Sequence, residues 1–327
     1  MTSSKFAIQR GVPQGSVLGP SLFSLYVSPI EDIISSHDLS CAMYADDTQL
    51  YLTLGKPGCP NQDLSNVHHC VSSILCWMKT NKLVCNTSKT EVIHFSSKFI
   101  KQIPLAKINI GSSEITVASS VRDLGVTLDK HLQMTLHVNQ LCKSASFSLK
   151  RIGQIRRYLD NPTTEKLVHA LITSKLDQCN SLLHGLPDQE IAKLQLIQNS
   201  AARLVTRTKR NEHISPILDK LHWLPIKKRI VFKIVLLTYK ALNGHAPQYL
   251  RELLRERKPL RKLRSSGKLN LQETKANTKY YGGRAFSVYA PKYWNNLPQS
   301  ITSQQSIELF KKHLKTFLFS NTIDFLR

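Results

Sequence analysis

The chain has 327 residues, with 45 Lys and Arg against 22 Asp and Glu, a formal charge of +23 and 41% hydrophobic residues. That length allows two domains at roughly 100–200 residues each, and the apolar content excludes a wholly disordered basic tail. The charge calls for a polyanionic partner, nucleic acid first and an anionic membrane surface second.

No run reaches the ~20 consecutive apolar residues of a membrane span; the most apolar, IVFKIVLL at 230–237, holds Lys233. The start, MTSSKFAIQRGVPQG, has neither the apolar core nor the cleavage site of a secretory signal. Seven irregularly spaced cysteines without a C-x-x-C pair suit a reduced, intracellular protein. His68, His69, Cys70 and Cys76 lie in a helical pattern that turns neighbouring ligands to different sides, so a four-ligand zinc site is not expected.

In chain order, Gly11, Gly15 and Gly19 punctuate the start, and Pro20 suits a first helical position. Leu22, Leu25, Tyr26, Pro29 and Ile33 give a helical period that SSHD (35–38) breaks. CAMYADDTQLYL (41–52) alternates through Ala42, Tyr44, Thr48, Leu50 and Leu52 about an Asp-Asp centre, which predicts two short strands and a polar turn. Leu64, Val67, Val71, Ile74, Leu75 and Met78 form the stripe of a helix. LVCNTSKTEVIHF (83–95) reads as strand, turn, strand; KINIGSSEITV (107–117) as a hairpin around Gly111; LGVTLD (124–129) as a last short strand.

From about His131 the pattern turns helical, near 131–157, 162–180, 187–207 and 226–243, with Pro162 and Pro187 placed for first turns and Gly244 for a C-terminal stop. Ile307, Phe310, Leu314, Phe317 and Leu318 mark a closing amphipathic helix. The expected organisation is an α+β part over 1–130, a mainly α-helical basic region over 131–254, a basic linker over 255–285, and an aromatic segment with a helix over 286–327.

Charge divides unevenly. Residues 1–150 hold 13 bases and 10 acids, residues 151–327 hold 32 and 12. The densest run, RELLRERKPLRKLRSSGK (251–268), nominates Arg255, Arg257, Lys258, Arg261, Lys262 and Arg264 as phosphate contacts. Tyr280, Tyr281, Tyr289, Tyr293 and Trp294 beyond it are candidates for base stacking. For any single stretch of this kind, a solvated face accounts for the charge about as well.

Two features of the first part carry chemistry. GVPQGSVLGP (11–20) is a Gly-rich turn feeding a helix, where a missing Cβ lets the backbone approach a planar ligand or a phosphate. YADD (44–47) sets Asp46 beside Asp47 in a tight turn, which can aim oxygen ligands at a hard cation. Either feature alone is common in ordinary turns.

Taken in order, QRGVPQGSVLGPSLFSLYV, MYADDTQLYL, NTSKTEVIHF (86–95) and LGVTLD (124–129) resemble consecutive blocks of the reverse transcriptase of non-LTR (LINE-type) retrotransposons, over about residues 8–130. HWLPIKKRI (222–230), LLTYKALNGHAPQYL (236–250) and RAFSVYAPKYWNNLP (284–298) resemble the segment that follows the polymerase core in such elements. The resemblance implies a partial palm and two-metal phosphoryl transfer with Mg²⁺, acting on an RNA template, a DNA primer and deoxynucleoside triphosphates. It casts Asp46 and Asp47 as catalytic metal ligands, with Tyr44 and Ala45 in the strand that floors the site. It casts Gln14 and Gly15 as nucleotide and template contacts, Lys89 as proton donor when pyrophosphate leaves, and Leu124, Gly125 and Val126 as the primer grip.

The same resemblance implies a third carboxylate on a strand before the Gly-rich block. MTSSKFAIQR holds no acid, and Glu31, Asp32 and Asp38 fall downstream at positions that do not match. The expectation is the C-terminal portion of a longer polymerase, inactive alone, with an unpaired edge on the YADD hairpin. The alternative is a non-catalytic nucleic-acid-binding protein that uses the basic C-terminal helices. No membrane partner is expected, and priming at a chromosomal nick implies access to the nucleus.

Overall fold

The computed structural model describes residues 12, 15–54, 60–97, 107–110, 113–257, 269–276, 278 and 281–320, with backbone alone at 60–63. The chain forms two compact units, Met1–Val121 and Arg122–Arg327.

The first unit is α+β. Helices α1 (Gly19–Val27) and α2 (Pro29–Ser35) stand where one continuous helical period is expected. Pro29 has no N–H for the Leu25 carbonyl and its ring would clash there, so the chain restarts at Ser28 with Pro29 in the first turn of α2. The break also moves the buried stripe. Val27, Ile30 and Ile34 are buried, while Leu22, Leu25 and Tyr26 of the expected stripe are exposed.

Strands β1 (Ser40–Tyr44) and β2 (Asp47–Tyr51) then pair antiparallel, and α3 spans Pro60–Thr80. Cys70 and Ile74 of α3 join Val27, Ile30, Ile34 and Leu39 in one core cluster, with Met43, Leu50, Val67 and Trp77 packed against it. His68, His69 and Cys76 are exposed whereas Cys70 is buried, so the four point to different surroundings.

The strand expected at 83–85 does not form. A 3-10 turn at Thr87–Lys89 leads instead to the short β3 (Val92–Ile93). β5 (Ser113–Ala118) lies between β3, parallel, and β4 (Lys107–Ile110), antiparallel. Gly111, at the expected hairpin turn, lies outside the described residues. A further hairpin, β6 (Ser120–Asp123) with β7 (Val126–Asp129), stands where a single strand is expected.

The second unit is helical: α4 (Thr135–Ile155), α5 (Asn161–Val168), a π-helical stretch His169–Thr173, α6 (Ser174–Asp177), α7 (Asp188–Thr206), α8 (Ser215–Lys220), α9 (Ile226–Leu242), α10 (Gln248–Glu252), α11 (Phe286–Asn295), α12 (Gln299–Thr302) and α13 (Ile307–Ser320). Helix α9 is its axis, with Ile230, Val231, Ile234, Val235, Thr238 and Tyr239 all buried; α7, α11 and α13 pack on it. Pro162 falls in the first turn of α5, and Gly244 (φ +73°) directly follows the C-cap of α9.

Several parts of 255–257 and 269–285 are bound to this core. Leu271 is buried, and Asn295 serves it as a surrogate strand: the Leu271 N–H donates to Asn295 Oδ1 (2.8 Å), and Asn295 Nδ2 donates to the Leu271 carbonyl (2.9 Å). Pro291 inside α11 cannot bond the Ser287 carbonyl, which accepts the Thr274 hydroxyl instead (3.1 Å). No helix among the described residues is long and apolar enough to cross a membrane.

Candidate active site

The hairpin β1–β2 is built by its period of two. The register Ser40↔Tyr51, Cys41↔Leu50, Ala42↔Gln49, Met43↔Thr48, Tyr44↔Asp47 leaves a two-residue turn, Ala45–Asp46. Cys41, Met43 and Leu50 pack against the core cluster. Alternation therefore sends Ala42, Tyr44 and Asp47 to the other face, and all three are exposed, Tyr44 at 66%. Asp46 is exposed at the tip.

Ala45 is held at φ +53°, a conformation that two-residue hairpin turns need and that costs a residue with a Cβ about 1–2 kcal/mol. The turn thus concentrates Tyr44, Ala45, Asp46 and Asp47 at one solvated point. Two adjacent carboxylates are an oxygen donor set suited to a hard divalent cation. No cluster of three or more His, Cys, Asp or Glu side chains placed to hold a metal occurs among the described residues.

The remaining nominated residues have different surroundings. Gln14 lies outside the described residues, and Gly15 has φ +88°, which accounts for the glycine there. Lys89 ends the 3-10 turn, exposed, with its N–H on the Asn86 carbonyl (3.1 Å).

Leu124 and Gly125 belong to the second unit and form the β6–β7 turn, with φ +43° and +85°. Positive φ at both central residues is the requirement of a type I′ hairpin turn. The Leu124 carbonyl accepts Gln178 Nε2 at 3.4 Å, Leu124 is exposed, and Val126 is buried in the core of the helical unit.

Sequence reasoning missed the groups that brace the chain just after this hairpin. Asp129 accepts backbone N–H bonds from His131 and Gln133 through Oδ1 (both 3.0 Å) and from Met134 through Oδ2 (2.7 Å), which fixes the entry to α4. Arg284 donates to the carbonyls of Leu132 (2.7 Å), Leu182 (3.0 Å) and His184 (3.0 Å). An aspartate a few residues before a helix is a legible capping signal; Arg284, 152 residues from Leu132, leaves none.

Of the basic run, Arg255 and Arg257 are exposed, and Lys258, Arg261, Lys262 and Arg264 lie outside the described residues. The aromatics nominated for stacking are corrected: Tyr289, Tyr293 and Trp294 are buried, Trp294 to 2% exposure, because α11 turns that face onto α9. Burial pushes the phenols of Tyr289 and Tyr293 up to about 12.

A family model described as reverse transcriptase (RNA-dependent DNA polymerase) matches residues 1–128, which contain the β1–β2 and β6–β7 turns. Residues 1–128 belong to the reverse transcriptase family. The chain is 27% identical over 210 residues to a probable RNA-directed DNA polymerase from transposon BS of Drosophila melanogaster, covering 61% of this chain and 22% of the relative. It is 26% identical over 219 residues to that from transposon X-element of the same fly (62% and 22%). It is 28% identical over 157 residues to the RNA-directed DNA polymerase from mobile element jockey (46% and 16%).

These likenesses are to reverse transcriptases of transposons and mobile elements, and they support a LINE-type reading of residues 1–128. The first two matches are longer than the 128-residue family segment, so the similarity runs on into the helical unit. The chain spans about a fifth of the length of these curated relatives. No solved structure matches it.

Proposed function

We propose that the β1–β2 turn is the metal-binding element of an RNA-directed DNA polymerase palm, with Asp46 and Asp47 as ligands. The observation that carries this is the register Tyr44↔Asp47, which puts two neighbouring carboxylates at an exposed tip instead of on opposite faces of a strand. Mg²⁺, when bound, supplies activation of a primer 3′-hydroxyl and neutralisation of charge on a triphosphate. In this reading Tyr44 and Ala45 hold the carboxylates up from the packed face. Gly15, with Gln14 beside it in sequence, meets the incoming nucleotide and template, exposed Lys89 donates a proton to departing pyrophosphate, and the Leu124–Gly125 turn, anchored by buried Val126, bears on the primer end.

An RNA template, a DNA primer and deoxynucleoside triphosphates are the partners, and the nucleus is the site of action. Two carboxylates are fewer than a two-metal centre requires, so these 327 residues alone bind metal weakly and do not extend a primer. The exposure of Arg255 and Arg257 favours a second reading, in which the basic helical unit binds nucleic acid without catalysis.

Mn²⁺ titration followed by electron paramagnetic resonance tests the palm reading. The wild-type chain takes up Mn²⁺, and Asp46→Asn with Asp47→Asn weakens uptake at least tenfold. Unchanged uptake in that variant, or templated primer extension by the chain alone, contradicts the reading as stated.

A further inference from the structure

The exposed side of α4 combines cations with large aromatic rings. Residues 130–159 contain six Lys and Arg and no Asp or Glu. On α4 and the 3-10 turn that continues it (Arg156–Tyr158), Lys143, Phe147, Lys150 and Arg151 recur at spacings of three and four, and Arg157 and Tyr158 extend the row. Such spacing sets them on one face, and all six are exposed, Phe147 at 62% and Tyr158 at 73%. The opposite face, Val138, Ala145 and Ile152, is buried in the core.

Each exposed ring has an arginine over it: Arg151 lies 5.7 Å from the Phe147 centroid and Arg157 lies 4.6 Å from that of Tyr158. Lys143, Lys150, Arg151 and Arg157 form no ion pair among the described residues. A large aromatic on a solvated helix face contributes nothing to the core, and two of them interleaved with unneutralised cations need a reason.

We infer that this face is a platform for single-stranded nucleic acid, with Phe147 and Tyr158 stacking unpaired bases and Lys143, Lys150, Arg151 and Arg157 holding the phosphates between them. The rings are eleven residues apart, about 16 Å at 1.5 Å per residue, a span of a few nucleotides. Paired bases offer no free ring face, so stacking selects single strands over duplex. A bilayer is a poorer fit, because the apolar side of α4 is covered by the core and the exposed rings are interleaved with cations, which leaves no continuous apolar face to insert among acyl chains. The platform is independent of the metal-binding turn and does not rest on the polymerase reading.

Fluorescence anisotropy of the full chain tests this with a labelled 20-nucleotide oligouridylate, the matching oligothymidylate, a 20-base-pair RNA duplex, and phosphatidylserine-containing vesicles. Both single strands are expected to bind more tightly than the duplex. Phe147→Ala with Tyr158→Ala is expected to weaken oligouridylate binding at least tenfold and duplex binding less than threefold, while Phe147→Trp with Tyr158→Trp retains single-strand affinity. Lys150→Gln with Arg151→Gln is expected to weaken both and to reduce the slope of log K against log salt by about 1.4 for the single strand.

Wild-type affinity for oligouridylate in the alanine variant overturns the inference, as does a preference for duplex or for vesicles. Binding that persists in Asp46→Asn, Asp47→Asn separates this result from failure of the metal site.

Discussion

Arg284 joins three stretches of the helical unit that are far apart in sequence. Its guanidinium serves carbonyls at Leu132, Leu182 and His184, and its own stem blocks the space beside Gly185, where a Cβ would come within 2.8 Å of Arg284 Cγ. Burial pulls its pKa below the ordinary arginine value, yet the three carbonyls give its N–H groups the partners that a buried donor set requires. A lysine carries the charge without the planar fork and cannot serve three divergent acceptors. Arg284→Lys is therefore expected to destabilise the folded chain by about 2–4 kcal/mol, since carbonyls lose charged donors in a half-buried setting. Chemical denaturation checks this; a loss under about 1 kcal/mol shows that water or Lys Nζ replaces the fork.

Elements in this chain are held by side chains standing in for missing backbone partners. Arg156 caps the C-terminus of α7, donating to the Leu204 and Val205 carbonyls (both 2.8 Å), where the chain leaves the helix through Arg207 at φ +57°. Where the turn Asn180–Leu183 meets α11, the His184 ring lies 4.2 Å from that of Tyr289 and 5.5 Å from that of Tyr293, centroid to centroid. Burial first, then the nearby Arg284 and Lys292 cations, lowers the His184 pKa to about 4.

The unfolded chain, with His near 6.5, binds more protons than the folded one between about pH 4 and 6.5. Stability from this site is complete above about pH 6.5 and falls as the pH drops through that window, by up to about 3 kcal/mol. His184→Phe keeps a ring between the tyrosines and removes the proton. Melting temperature followed from pH 7 to 4.5 is expected to flatten in that variant, and an unchanged profile assigns the acid sensitivity to other groups.

At the scale of the molecule, the two units are unequal. One buried apolar cluster of 39 residues lies wholly in the second unit, against a cluster of six in the first, counted among the described residues. Burial on the larger scale supports independent folding of a domain of this size. A fragment of residues 120–327 is expected to keep a cooperative thermal transition within a few degrees of the principal transition of the full chain. A broad, non-cooperative loss of helix in that fragment shows that residues 1–119 are needed for folding.

Local patterns were legible because they obey local rules. The alternation through 41–52 predicts the β1–β2 hairpin, and Pro162, Gly244 and the Ile307–Leu318 stripe mark helix bounds that the structure keeps. The four ordered blocks carried the family, which the match over 1–128 bears out. Where two local signals compete, as at Pro29, the apolar period runs across a residue that cannot continue the hydrogen-bond ladder, and the helix breaks there.

What the amino-acid order determined unaided was the reverse transcriptase resemblance of residues 1–128, the placement of Asp46 and Asp47 side by side at the tip of one hairpin, and the crowding of charge into the helical half. Tertiary structure alone decided which aromatics meet solvent. Tyr289, Tyr293 and Trp294 follow the basic run in sequence yet are buried, while Phe147 and Tyr158 stand exposed beside arginines. The reason is that a helix shows its period but not its partner: which face is covered depends on residues a hundred or more positions away, as Arg284 and Leu132 illustrate.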